Sequence, residues 1–225
     1  MIPYKDDNPT SIFPYATIGI IIANVVVFLL QITSQSGMKD VTYSYGAIPQ
    51  YLLTGERVQP ISPVLTVFTS MFMHGSFLHI GGNMLYLWIF GNNIEDSLGH
   101  IRFVVFYLFC GIISAFTYAW VNADSTIPMV GASGAISGVL GAYLLLFPRA
   151  NVHTLIFLGF FITTVRIPAL IVIGFWAIIQ FINGLVSTGL HDRGGGVAWL
   201  AHVGGFLAGI VTIKLWMPRR NKQWL

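Results

Sequence analysis

Charge is what this sequence has least of. Of its 225 residues, 8% are charged and 55% hydrophobic, and the mean hydropathy is +0.75. A water-facing domain carries about a quarter charged residues, so most of this chain's surface faces something other than water. Cysteine is nearly absent: Cys110 is the only one, which excludes an internal disulfide and any multi-cysteine metal site. No His-Glu-x-x-His run is present, so the helical zinc pattern with its built-in glutamate base is missing. No aspartate lies inside a long apolar run, which excludes catalysis by a pair of membrane-embedded aspartates. Nor is there an internal repeat, the usual mark of a secondary transporter.

What the chain does have is apolar length. Six segments approach the roughly 20 residues needed to span a bilayer: residues 16–32, 78–94, 101–121, 131–148, 168–185 and 197–216. The first is not a removed signal, because Lys5 is offset by Asp6 and Asp7 and no A-x-A pattern follows. Residues 34–74 form a long connection in which Pro49, Pro60 and Pro63 break any long helix. Its apolar stretch 64–68 is expected to dip into the bilayer surface. Residues 152–164 are apolar but too short to span, which fits an interfacial, buried or re-entrant segment.

Cation placement predicts the orientation. With six spans both termini share one side, together with Lys5, Arg102, Arg149, Arg166, Lys214, Arg219, Arg220 and Lys222, whereas Lys39, Arg57 and Arg193 fall opposite. Eight cations against three put both termini in the cytoplasm. The expectation is one membrane domain over residues 1–225, with short cytoplasmic tails at 1–14 and 217–225. The host is a bacterial or archaeal cell membrane, with an organelle membrane as the alternative.

Polar groups inside a membrane are costly and mark function. His74, His79 and Asn83 lie near the outer end of the second span, Gly131-Ala132-Ser133-Gly134 at the outer start of the fourth, and Ala201-His202 in the outer part of the sixth. A serine hydroxyl is a weak nucleophile without a base to take its proton, and neutral His suits that task near pH 7. The nearest acids, Asp124 and Asp192, sit in loops, so Ser133 and His202 are expected as a dyad without a third carboxylate. His79 and Asn83 share a helix face at a spacing of four. With the Ser133 backbone N–H they are placed to stabilise a tetrahedral oxyanion. Gly134, Gly138 and Gly141 on the fourth span and Gly205 and Gly209 on the sixth permit the close helix approach that brings Ser133 to His202.

These motifs, Gly131-Ala132-Ser133-Gly134, His74-x4-His79-x3-Asn83 and Ala201-His202-x2-Gly205, resemble the signature of the rhomboid intramembrane serine proteases over roughly residues 60–217. The resemblance implies an all-α bundle of six transmembrane helices with a long first outer loop. It also implies no cofactor or metal, and substrates that are single-span membrane proteins cut near the outer membrane face. Ser133 matches the nucleophile, His202 the base, and His79 with Asn83 the oxyanion stabilisers. His74 matches a loop-bracing histidine and Glu95 a structural acid at the inner end of the second helix. Two positions depart from common members: Leu65-Thr66 stands where many have Trp-Arg, and Ser137 where some have a tyrosine that stacks on the base. The competing reading is a non-catalytic member of the same superfamily, a membrane binding or quality-control protein. His100, His153 and His191 are expected to be solvated, and the six tryptophans to face lipid or its interface. Phe175 and Trp176 are candidate gate residues for lateral substrate entry.

Overall fold

A computed structural model describes residues 2–159, 161–189 and 198–218. His191, Asp192, Arg193, Arg219, Arg220, Lys222 and Trp224 therefore lie outside the described residues.

The chain is mostly helical. Strand β1 (Ile2–Asp6) is followed by helix α1 (Tyr15–Thr33), three short helices α2 (Gly37–Tyr45), α3 (Pro49–Thr54) and α4 (Pro63–Ser70), and then α5 (Phe77–Leu98), α6 (His100–Val121) and α7 (Ser133–Leu146). A hairpin, β2 (Asn151–Leu158) and β3 (Phe161–Pro168), leads to α8 (Ala169–Gly189) and α9 (Trp199–Trp216). Among the described residues four helices are long and apolar enough to cross a membrane: Tyr15–Thr33, His100–Val121, Ala169–Ser187 and Trp199–Trp216. The 22-residue α5 has the length but carries His79, Asn83, Asn92, Asn93, Glu95 and Asp96. The 14-residue α7 is apolar but short.

Helix α7 is the axis of the fold. Every residue from Gly134 to Tyr143 is buried, as expected of a helix apolar on all sides and surrounded by others. Its most extensive partner is α9, followed by α6. Small residues make this approach possible. A Cβ at Gly205 would collide with the Gly134 carbonyl, one at Gly209 with the Gly138 carbonyl, and one at Gly141 with the Phe206 carbonyl. The two backbones are in direct contact.

The expected all-α architecture needs correction. The strands form one antiparallel sheet in the order β1-β2-β3, with Asp6 opposite Val152 and His153 opposite Arg166. Residues 152–164 thus fall within a β-hairpin. Its tight turn uses Gly159 at φ 62°, a backbone conformation that suits glycine. The amino-terminal residues are not a free tail either. Besides forming β1, they donate from Ser11 N, Ser11 Oγ and Ile12 N to Asp96 Oδ1 at 2.8–2.9 Å. The prolines in the connection between α1 and α5 leave no long helix there, as expected, and divide it into short ones. Pro49 and Pro63 start α3 and α4, where a missing N–H costs nothing. Val64, Leu65 and Phe68 of α4 turn outward, leaving an apolar surface there.

Candidate active site

Three elements meet at one end of the bundle. Ser76 Oγ caps α5 by accepting from His79 N at 3.1 Å, which sets His79 in the first turn, with Asn83 one turn later on the same face. Ser133 opens α7. The residue two before it, Gly131, has φ 132°, and a Cβ there would also lie 2.8 Å from His79 Nε2. Both the conformation and the closeness demand glycine. Gly131 N donates to Ser70 O at 2.9 Å, and Ala47 and Met129 exchange a pair of backbone hydrogen bonds at 2.8 and 3.1 Å. The segment before α7 is thereby pinned to the α2–α4 connection. On α6, Ser114 Oγ donates to Ala201 O at 2.7 Å, which fixes the backbone next to His202.

The result is a cavity of about 760 Å³ whose lining includes His79, Asn83, Ser133 and His202. Ser133 Oγ lies 2.8 Å from His202 Nε2. On the other side of the ring, His202 Nδ1 lies 2.7 Å from Gln180 Oε1. Asn83 Nδ2 is a buried donor with no protein partner. His79 Nδ1 accepts from Gly75 N at 3.4 Å, so its Nε2 carries the proton and is the ring's available donor. Buried N–H groups without partners are rare, because an unmade hydrogen bond costs about 1–3 kcal/mol. Two donors beside a serine–histidine pair suit an anion that forms there.

His74 is fully buried and packs its ring on Phe28 and on His79, with centroids 6.5 and 5.1 Å apart. Its backbone N donates to Gln31 Oε1 of α1 at 2.9 Å. Glu95 lies at the other end of α5, far along the helix from His79, and is fully buried. Its Oε1 accepts from Ala16 N at 2.8 Å, and its Oε2 from Thr17 N and Thr17 Oγ1 at 2.7 Å. A carboxylate is favoured at the start of α1, where backbone N–H groups are unpaired. Gly134 faces Ser114 and Gly205 faces Gly134, each without room for a side chain.

A Rhomboid domain family model matches residues 62–219, well over half of the chain. The chain belongs to the rhomboid family. This rhomboid is 28% identical over 201 residues to Rhomboid protein 1, mitochondrial, of Saccharomyces cerevisiae, an alignment covering 88% of this chain and 51% of that one. It is 34% identical over 151 residues to the human Presenilin-associated rhomboid-like protein, mitochondrial, covering 65% and 36% of the two chains. To Rhomboid protease GluP of Bacillus subtilis it is 29% identical over 221 residues, covering 96% and 37%. It thus spans about half or less of the length of these curated relatives. Membership and the four long apolar helices make this rhomboid an integral membrane protein.

Several expectations change with the structure in hand. Trp176 and Trp199 do not simply face lipid: their rings lie 6.0 and 6.4 Å from that of His202. Phe175 turns outward while Trp176 turns inward, so the two candidate gate residues occupy different faces of α8. Trp216 packs on Phe106 and Phe109. His100 and His153 are not free in solvent, since they lie 2.5 Å from Glu95 Oε1 and Asp7 Oδ1 respectively. Ser137 Oγ donates to Ser133 O at 2.6 Å and so is spent on its own helix. Sequence reasoning passed over Gln180 and Gln31. The signal was present in both: an amide inside an otherwise apolar span.

Proposed function

We propose that this rhomboid is an intramembrane serine endopeptidase with Ser133 as nucleophile and His202 as general base. The observation that carries this reading is the 2.8 Å contact between Ser133 Oγ and His202 Nε2 inside the cavity. Ser133 Oγ attacks the scissile carbonyl carbon as its proton passes to His202 Nε2. The carbonyl oxygen becomes an oxyanion, held by His79 Nε2–H, Asn83 Nδ2–H and the Ser133 backbone N–H. Collapse of the intermediate breaks the C–N bond, and the leaving amine takes the proton from His202. A water, deprotonated in turn by His202, hydrolyses the acyl-enzyme and restores Ser133.

Six membrane helices, with the short α7 and the polar α5 counted among them, form a single domain with both termini cytoplasmic. At 1.5 Å per residue, the 14 residues of α7 cover about 21 Å, against a hydrocarbon core of about 30 Å. Ser133 then lies below the outer surface, reached by a peptide bond from within or beside the bilayer. A spanning helix protects its carbonyls by internal hydrogen bonds, so the substrates are single-span membrane proteins with small or helix-breaking residues near the outer end of their helix.

The test is reconstitution of the purified protein with a set of single-span substrates, with the fragments read by mass spectrometry. Cleavage in the outer juxtamembrane segment, lost in Ser133→Ala, is expected. Retention of an intact partner with no cleavage favours the non-catalytic binding role instead. No step uses a metal, so EDTA leaves turnover unchanged; activity lost in EDTA and restored by zinc counts against the assignment.

A further inference from the structure

Neutral imidazole carries its proton on one ring nitrogen and a lone pair on the other. His202 can accept the Ser133 proton at Nε2 only if its own proton sits on Nδ1. The atom facing Nδ1 is Gln180 Oε1, at 2.7 Å. A carbonyl oxygen accepts and never donates, so this contact forms only with the Nδ1–H tautomer. The opposite amide orientation would donate into Nδ1, place the ring proton on Nε2 and point it at the serine oxygen, abolishing the base.

We propose that Gln180 is the positioning residue of the site, a neutral amide doing in the membrane what a carboxylate does in a soluble triad. Gln180 is 6% exposed and His202 8%, so both partners of the contact are buried. Trp176 precedes Gln180 by one turn on the same face of α8, and its ring lies 6.0 Å from that of His202 at an interplanar angle of 33°. One face of α8 therefore supplies both a hydrogen bond that fixes the tautomer and a ring that limits tilt. An amide also avoids the cost of an ionised group at this depth. The assignment rests on the serine-protease reading above.

The test uses the purified full chain in detergent with a fluorogenic single-span substrate, and the same chain labelled with ¹⁵N-histidine. Wild-type His202 shows the Nδ1–H tautomer by NMR. Gln180→Met keeps the volume without the acceptor; it loses that tautomer and lowers kcat about 100-fold with KM nearly unchanged, the size expected for a misplaced catalytic group. Gln180→Glu keeps an acceptor oxygen and restores kcat to within about tenfold of wild type. An Nε2–H tautomer in wild type overturns the proposal. So does a Gln180→Met protein with wild-type turnover, or a Gln180→Glu protein as slow as Gln180→Met. Should Gln180→Met fail to fold, the wild-type tautomer and the Glu variant still decide. The tautomer is read without turnover, so failure of the protease reading, seen as no Ser133-dependent cleavage in wild type, is distinguishable from failure of this one.

Discussion

The two ends of α5 make opposite use of buried polar groups. At the Glu95 end every carboxylate is occupied: Glu95 accepts from Ala16 and Thr17, Asp96 from Ser11 and Ile12, and Asp6 Oδ2 from Tyr143 Oη at 2.6 Å. At the His79 end Asn83 Nδ2 and both ring nitrogens of His74 are buried without a protein partner. Satisfied groups hold elements together, whereas unsatisfied ones represent stability withheld from the fold. A site that must stabilise a transient charge needs donors that are not already engaged. Asn93 Oδ1 is also buried without a partner near Glu95, so what sets that end apart is its fully engaged carboxylates, and what sets the His79 end apart is a free donor in the cavity.

Substitutions at the two ends should break function and stability separately. The largest effect is expected from Ser133→Ala and His202→Ala. Each removes turnover by a factor on the order of 10⁶, as in soluble serine proteases, with helical circular dichroism and thermal unfolding retained. Residual turnover near wild type in either variant contradicts the assignment. Next is Asn83→Ala, where loss of one oxyanion donor costs about 3–4 kcal/mol in barrier. That protein is slow rather than dead, and its unfolding temperature is unchanged or raised because an unpaired buried amide has gone.

Glu95→Ala inverts the pattern. It strands the N–H groups of Ala16 and Thr17, at about 1–3 kcal/mol for each buried group left unpaired. Thermal unfolding moves down, while kcat per folded molecule stays at the wild-type value. A fall in kcat at constant stability would mean that the two ends are coupled. Gly205→Val tests the backbone contact between α7 and α9 on which the site is built, since its side chain would meet the Gly134 backbone. Overpacking of about 1–3 kcal/mol lowers stability, and separation of α7 from α9 lowers turnover with it, a joint loss unlike that at either end.

The smallest effect concerns Asp7, whose carboxyl the His153 hydrogen bond holds below its ordinary value of 3.8. A depressed carboxyl stabilises the fold above its unfolded value and loses that contribution as pH falls through the folded one. Wild type and Asp7→Asn therefore unfold alike in strong acid and separate slightly once the pH exceeds about 4. Curves that coincide throughout show the pair to be energetically silent, as exposed ion pairs often are.

The sequence by itself determined the membrane class, the positions of the long helices to within about four residues, and the motifs that point to the family. Apolar length against bilayer thickness and the rarity of polar groups in lipid are both one-dimensional signals. Helix α6 was expected at 101–121 and runs His100–Val121; the last helix was expected at 197–216 and runs Trp199–Trp216. Residues 152–164 were read as a short apolar run, and such a run does not distinguish strand from buried segment without its partner. One partner of β2, strand β1, lies some 150 residues earlier in the chain. Only the tertiary structure decided which polar groups meet. Gln180 stands 22 residues before His202 and Ser133 stands 69 before it, separations at which no local periodicity operates. Backbone contact between α7 and α9, set by Gly134, Gly138, Gly205 and Gly209, brings Ser133 to His202, and the packing of α8 on α9 brings Gln180 there. Asn83 of α5 lines the same cavity without a partner, because packing rather than sequence spacing fixes which donors find one.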